Sequence, residues 1–189
     1  MLVAIVGTSG CGKNTIINEI LKNNPKYLQM PSLTTRKMRD GESQGHPYMF
    51  VSEDEFWKEV ESGRMLEHEE VHKGIHYGIS RVILDDYLQK SPVVIKDVDV
   101  NGVMSAKKAG YDVVAIFIEV SDKQELLNRI IARGETPERA AVRISRFDYE
   151  MGHKKHMDHV VTNNTLDELP IAISKIDDII KSELKKRKI

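Results

Sequence analysis

The sequence predicts an α/β fold: a parallel sheet core flanked by helices, interrupted by a mixed α/β insert and by a helical segment. Three observations predict it. Residues 2–6, 93–95 and 113–118 are short, wholly apolar runs, as strands covered on both faces read. Helical periodicity fills the stretches between and after them, and alternation on this scale builds a parallel sheet through right-handed crossovers. Two stretches, 32–90 and 122–150, break that alternation.

Taken in order, 2–6 is the expected central strand. It ends at Gly7, and after a glycine-rich turn residues 15–21 place Ile16, Ile17, Ile20 and Leu21 at helical spacing until Asn23-Asn24-Pro25 stops them. The pattern then becomes mixed: 48–51 reads as a strand, 53–61 as a helix and 65–71 as a second strand, an insert with a small sheet of its own. Ser91-Pro92 and Gly110 supply turns before the strands at 93–95 and 113–118, and an amphipathic segment around 103–109 separates them. Residues 122–150 are helical and carry Arg129, Arg133, Arg139, Arg143 and Arg146. A strand at 159–162 runs into Asn163-Asn164, and a last helix from Asp167 is expected to turn Ile171, Ile173, Ile176, Ile179 and Ile180 inward. The expected partition is 1–31, 91–121 and 151–189 as core, 32–90 as insert and 122–150 as lid, all one structural domain.

Composition narrows the function. A chain of 189 residues buries one good core, and Lys+Arg of 28 against Asp+Glu of 29 leaves a net charge of −1. That balance gives no basic field for a nucleic acid backbone. The single cysteine, Cys11, cannot form an intramolecular disulfide. No run approaches the roughly 20 apolar residues of a membrane span, and the start carries no secretion-signal pattern. The expectation is a cytoplasmic monomer or homodimer with neither nucleic acid nor membrane as partner.

Gly7-Thr8-Ser9-Gly10-Cys11-Gly12-Lys13-Asn14 lies between a predicted buried strand and a predicted helix, as a Walker A phosphate loop must. Glycines let successive backbone N–H groups turn inward around phosphate oxygens, and the helix N-terminus adds partial positive charge. Lys13 is the mobile cation of such a loop. It normally ends in Ser or Thr, whose hydroxyl ligates Mg²⁺; here the residue is Asn14, whose longer amide must shift the metal geometry.

The insert carries the more specific signal. Ser32-Leu33-Thr34-Thr35-Arg36-Lys37-Met38-Arg39-Asp40-Gly41-Glu42 and Gly45-His46-Pro47-Tyr48-Met49-Phe50-Val51 resemble the guanylate kinase signature S-x-T-T-R-x-x-R-x-G-E then G-x-x-Y-x-F-V. An E-x-x-x-V-H run from Glu67 to His72, Tyr77-Gly78 and a D-x-D-x-x-G from Asp97 to Gly102 follow in family order, so the resemblance covers nearly the whole chain. It implies a P-loop nucleoside monophosphate kinase passing the γ-phosphoryl of ATP to GMP or dGMP with Mg²⁺.

The resemblance also implies roles. Gly7, Thr8, Ser9, Gly10, Cys11, Gly12, Lys13, Asn14 and Thr15 would surround the ATP phosphates, with Arg129 beside them and Asn163 near the adenine. Ser32, Arg36, Arg39, Glu42, Tyr48 and Tyr77 would hold the acceptor phosphate side of GMP, since forked guanidinium donors and hydroxyls suit a phosphate dianion. Glu67 would accept from the guanine N1 and N2 donors, with Asp99 its partner near the base. Asp97, with Asn14, would hold Mg²⁺, partly through water. Lys13, Arg36, Arg133 and Arg143 would serve the transfer itself, the last two from a helical lid that closes over the phosphates.

The chain departs from the family at the base pocket. Y-G-[ST] is replaced by Tyr77-Gly78-Ile79, with one extra residue between His72 and Tyr77. Ile79 offers the guanine O6 no hydroxyl, and Ser80 is the nearest substitute. This leaves two alternatives: a paralogue acting on another small phosphate acceptor, and a weakened module that binds a phosphorylated partner. The histidines at 153, 156 and 159 and the basic run at 185–188 read as surface features.

Overall fold

The structure, a computed structural model, describes residues 1–188, without the side chains of Val71 and His72 of the E-x-x-x-V-H run. The chain opens with β1 (Leu2–Val6), α1 (Lys13–Asn23) and β2 (Leu28–Gln29). The insert follows as β3 (Ser32–Thr34), β4 (Tyr48–Phe50), α2 (Glu53–Glu61), β5 (Met65–His72), β6 (Ile75–Ser80) and α3 (Arg81–Lys90). The core resumes with β7 (Val94–Asp97), α4 (Val100–Lys108) and β8 (Val113–Glu119). Then come α5 (Lys123–Ile131), α6 (Pro137–Arg143), α7 (Phe147–His153), β9 (His159–Thr162) and α8 (Leu169–Arg187).

The main sheet is parallel throughout, in the order β2-β7-β1-β8-β9. The central place expected for residues 2–6 is the observed one. All five residues of β1 are buried because helices cover both faces. On one side Val3 and Ile5 pack with Ile16, Ile17, Ile20, Ile176 and Ile180; on the other Leu2, Ala4 and Val6 pack with Val100, Val103 and Phe117. Alternation of side chains across a strand divides one apolar run between two cores.

The insert is a second sheet in the order β4-β3-β6-β5, packed around Leu33, Phe56 and Met65. Its helix α2 occupies the residues expected and starts with a reciprocal capping box between Ser52 and Glu55. Four elements were not expected: β2, β3, β6 and α3. The first two are only two and three residues long, too short for a periodic signal. The stretch between His72 and Tyr77 forms the turn of the β5–β6 hairpin, in which β5 also shifts register between Glu70 and His72 and Tyr77 stands opposite Glu69.

One inward assignment is corrected. Ile171 is 55% exposed, whereas Ile176 and Ile180 are fully buried. Ile171 lies five residues before Ile176 in the same helix, Leu169–Arg187, which at 3.6 residues per turn places it about 140° round from the face that Ile176 presents to α1.

Candidate active site

The loop between β1 and α1 is built by close approach of backbone to core. Gly7 has φ +146°, and a Cβ there would stand 2.6 Å from the Ile118 carbonyl oxygen. Gly12 caps α1 in the left-handed region, φ +102°, with a would-be Cβ 2.9 Å from Asn163 Nδ2. Among the described residues no side chain caps this helix, so its first N–H groups stay available to an anion. Asn163 is 2% exposed and donates to the Cys11 carbonyl at 2.9 Å, holding the loop from behind. The Lys13 ammonium donates to the Gly7 and Thr8 carbonyls.

Lys13, Gly7 and Ser9 form one wall of a cleft of about 570 Å³. The opposite wall comes from the insert: Ser32 on β3, Tyr48 on β4, Glu67 on β5, and Tyr77 and Ile79 on β6. Asp97 and Asp99, at the end of β7 and the start of α4, form the floor. A parallel strand delivers its terminal side chains to the crevice at its carboxyl end, which is where β1 delivers the loop and β7 the two aspartates.

The charges on this floor are tuned. Burial pushes the Asp97 carboxyl up, but Lys96 at 3.0 Å, with Lys13 beyond it, outweighs burial and holds it below the usual carboxylate range. Lys96 is itself buried, so the pair is fixed in place. Glu67 moves the other way: burial first, then the nearby charges of Asp99 and Glu69, push its carboxyl from 4.5 up to about 7. Gly102 permits this geometry, because a Cβ there would fall 2.6 Å from Glu67 Oε1. Asp99 uses one oxygen to cap α4, accepting from the Gly102 N–H at 2.9 Å.

Other candidates stand behind or beyond the cleft. Arg36 donates to Glu42 at 2.7 Å and to the Tyr77 hydroxyl at 3.2 Å, and lies over the Tyr48 and Phe50 rings, so it reaches the cleft wall through Tyr77. Glu42 accepts from Arg36 and from the Arg39 N–H, and Arg36 holds its carboxyl below the ordinary range. The Arg39 side chain makes no hydrogen bond among the described residues. Thr8 and Cys11 are buried with their side chains in the protein, leaving only backbone to face a ligand; burial pushes the Cys11 thiol up. Gly10 is wedged against Ile130 and the Leu126 carbonyl. Asn14 and Thr15 are exposed on the first turn of α1, outside the cleft lining.

The helices after β8 divide their arginines. Arg143 reaches the phosphate loop, donating to Ser9 Oγ at 3.0 Å and to Glu135 at 2.9 Å. Arg133 is exposed and unpaired among the described residues. Arg129 is 8% exposed, pairs with Glu125 at 2.8 Å and leaves Nη2 buried without a partner among the described residues. Ser80, the substitute hydroxyl for Ile79, caps α3 through the Ile83 N–H and points away from the cleft, since neighbours in a strand face opposite sides. Several cleft residues were given no site role from sequence, among them Asn101, Ser105, Arg146 and Glu150. Burial raises Glu150, although Lys13 and Arg146 oppose that. Nothing in a helical charge pattern marks Arg146 or Glu150 as a cleft residue, because the tertiary fold alone turns that face to the cleft.

The oxygen donors suit a hard cation. An ionised Asp97 carboxylate beside the phosphate loop matches the way Mg²⁺ is held through one or two carboxylates, its own waters and substrate phosphates.

The family profile described as guanylate kinase matches residues 1–183. The guanylate kinase of Thermotoga maritima is 34% identical over 183 residues, covering 96% of this chain and 86% of its own length. That of Lactiplantibacillus plantarum is 36% identical over 186 residues, covering 97% and 88%. The crystal structure of guanylate kinase from Anaplasma phagocytophilum superposes with a TM-score of 0.70 at 28% identity, covering 97% of this chain and 85% of that one. On the match of nearly its whole length to that profile and to these relatives, the chain belongs to the guanylate kinase family.

Proposed function

We propose that this protein is an ATP:GMP phosphotransferase that moves the γ-phosphoryl of ATP onto the phosphate of GMP, or of dGMP, to give ADP and GDP. One observation carries the reading: a single cleft has the glycine loop with Lys13 on one wall and Ser32, Tyr48, Tyr77 and Glu67 on the other. Two anion sites facing each other across one cavity are what direct transfer between two bound nucleotides requires.

In this reading the loop N–H groups, the α1 N-terminus and Lys13 hold the β- and γ-phosphates of ATP. Ser32, Tyr48 and Tyr77 meet the GMP phosphate, with Arg36 and Arg39 swinging onto it as Arg36 exchanges Glu42 for the dianion. Glu67, ionised on binding, accepts from the guanine N1 and N2 donors, a pattern adenine does not present. The transition state is loose and highly charged, so positioned cations matter more than covalent chemistry; Lys13 and Arg143 supply them, and Arg133 joins when the lid closes. Asp97, with Asn14 turning in from the first turn of α1, would hold Mg²⁺ partly through water, and the bound ion would supply charge neutralisation at the phosphate oxygens. Asn163 supports the loop at the ATP side. Lid closure keeps water from the γ-phosphoryl. The division into core, insert and lid belongs to this proposal, as does a cytoplasmic setting; no described helix is long and apolar enough to cross a membrane.

A coupled assay of ADP formation from ATP-Mg²⁺ with GMP, dGMP, IMP, AMP, CMP and UMP tests it. The reading predicts ADP formation that depends on GMP or dGMP. ADP formation only with a pyrimidine or adenine nucleotide, or with none, contradicts it.

A further inference from the structure

We infer that Arg146 is a specificity-determining residue of the acceptor pocket, donating from its guanidinium to the ring carbonyl oxygen of a 6-oxopurine. The inference rests on the guanylate kinase reading above and deepens it. Guanine presents its N1 and N2 donors beside O6, an acceptor, and also carries N7 as an acceptor. If Glu67 takes the two donors, the neighbouring carbonyl oxygen enters the same cleft, where the Arg146 side chain is 44% exposed, and an acceptor even partly desolvated without a donor is costly.

Among the donors that line the cleft, which include His68, Asn101 and Ser105, Arg146 is the cation that also acts on Glu67. Ile79, at the end of β6, has no side-chain donor, and the Ser80 hydroxyl is on the far face of the strand, capping α3. Tyr48 and Tyr77 belong to the end nearer Arg36, which lies over the Tyr48 ring and donates from Nε to the Tyr77 hydroxyl. Arg146, at the start of α7, lines the same cleft and adds positive charge at Glu67. Its Nη2 donates to Asp99 Oδ2 at 3.0 Å, while Nη1 stands 3.9 Å from Glu69, too far for a hydrogen bond. The guanidinium is also stacked on the Tyr149 ring at 5.4 Å. Asp99 and Tyr149 therefore fix the plane of a five-donor group while most of its N–H bonds remain uncommitted among the described residues.

The same placement rejects the wrong base. A 6-aminopurine presents an N–H donor where guanine presents an acceptor, so its amino group would meet a fixed cation. Arg146 thus discriminates by repulsion as well as attraction.

The test compares wild type with Arg146→Met, which keeps side-chain length and removes charge and donors, and with Arg146→Lys. Steady-state kinetics are measured with GMP, IMP and AMP as acceptors, with ATP KM and thermal unfolding as controls. The expected result for Arg146→Met is a rise of about tenfold or more in KM for both GMP and IMP, since both carry the 6-oxo group. The GMP-over-AMP preference falls by a similar factor, ATP KM is unchanged, and Arg146→Lys lies between. Unchanged KM for GMP and IMP, or an equal loss for AMP, overturns the inference and leaves the kinase reading standing. Wild-type protein without GMP-dependent turnover instead defeats the kinase reading, and this inference with it.

Discussion

The two walls of the cleft are built in different ways. The loop wall comes from one contiguous segment, residues 7–13, fixed by steric contact with the core: Gly7 against Ile118, Gly12 against Asn163, Gly10 against Ile130. The insert wall is made of side chains from four strands and the floor after β7, fixed by one another's charges: Arg36 by Glu42, Asp97 by Lys96, Asp99 by Arg146. A backbone site is specified all at once and fails all at once. A side-chain site loses one contact at a time, and its selectivity is open to adjustment at residues such as Ile79 and Arg146.

The largest expected effect separates the walls most sharply. Lys13→Met removes the one mobile cation of the loop and should lower kcat by about a thousandfold. GMP affinity, read by calorimetry, should stay within about twofold of wild type. An equal loss of GMP affinity would mean that the walls are not independent.

Next is Glu67→Gln, which should cost about a hundredfold in kcat/KM for GMP with ATP KM unchanged. It also predicts a stability change of opposite sign. The Glu67 carboxyl lies at about 7 in the folded chain against 4.5 as the ordinary value, so between those pH values the native state holds a proton the unfolded chain has released. Wild-type stability therefore falls as pH rises through that window and stays low above it. Glu67→Gln escapes this loss, so urea unfolding at pH 8 should show it more stable than wild type by about 1–3 kcal/mol, with the gain absent at pH 4. GMP donors favour the ionised form, so GMP affinity of wild type should rise from pH 6 to pH 8. A flat profile would deny Glu67 contact with the base.

Gly102→Ala is subtler. Its Cβ would press on the Glu67 carboxylate, so KM for GMP should rise about tenfold, while the helix gains up to about 1 kcal/mol from the better helix former. Unchanged KM would show that Glu67 can move without loss. The smallest effect is Asn14→Ser, expected to lower the half-saturating Mg²⁺ concentration a few-fold, since a hydroxyl replaces a longer amide. Unchanged metal dependence removes Asn14 from the metal site.

The contrast between the walls also explains what the sequence disclosed. The loop was legible because its residues are contiguous and lie between an apolar strand and a helix. Ser32, Tyr48, Glu67 and Tyr77 are dispersed over 46 positions and could be collected only through resemblance, yet the structure brings all four to one cleft. The short strands β2 and β3 escaped because two or three residues carry no period, and their pairing depends on neighbours far along the chain. Arg146 and Glu150 escaped because charged residues on a helix read as a solvated face; only the placement of α7 brings Glu150, half-buried, and Arg146, still exposed, to the cleft. The same blindness made Arg133, exposed here, and Arg143, bound to Ser9, look equivalent.

The central claim is that both phosphate sites open into one cavity, close enough for direct transfer. Calorimetric titration with a bisubstrate analogue, adenosine and guanosine joined by an oligophosphate bridge, tests it most directly. The account predicts one analogue bound per chain, displaced by ATP and also by GMP. Displacement by only one of the two nucleotides, or two analogues bound per chain, would contradict it.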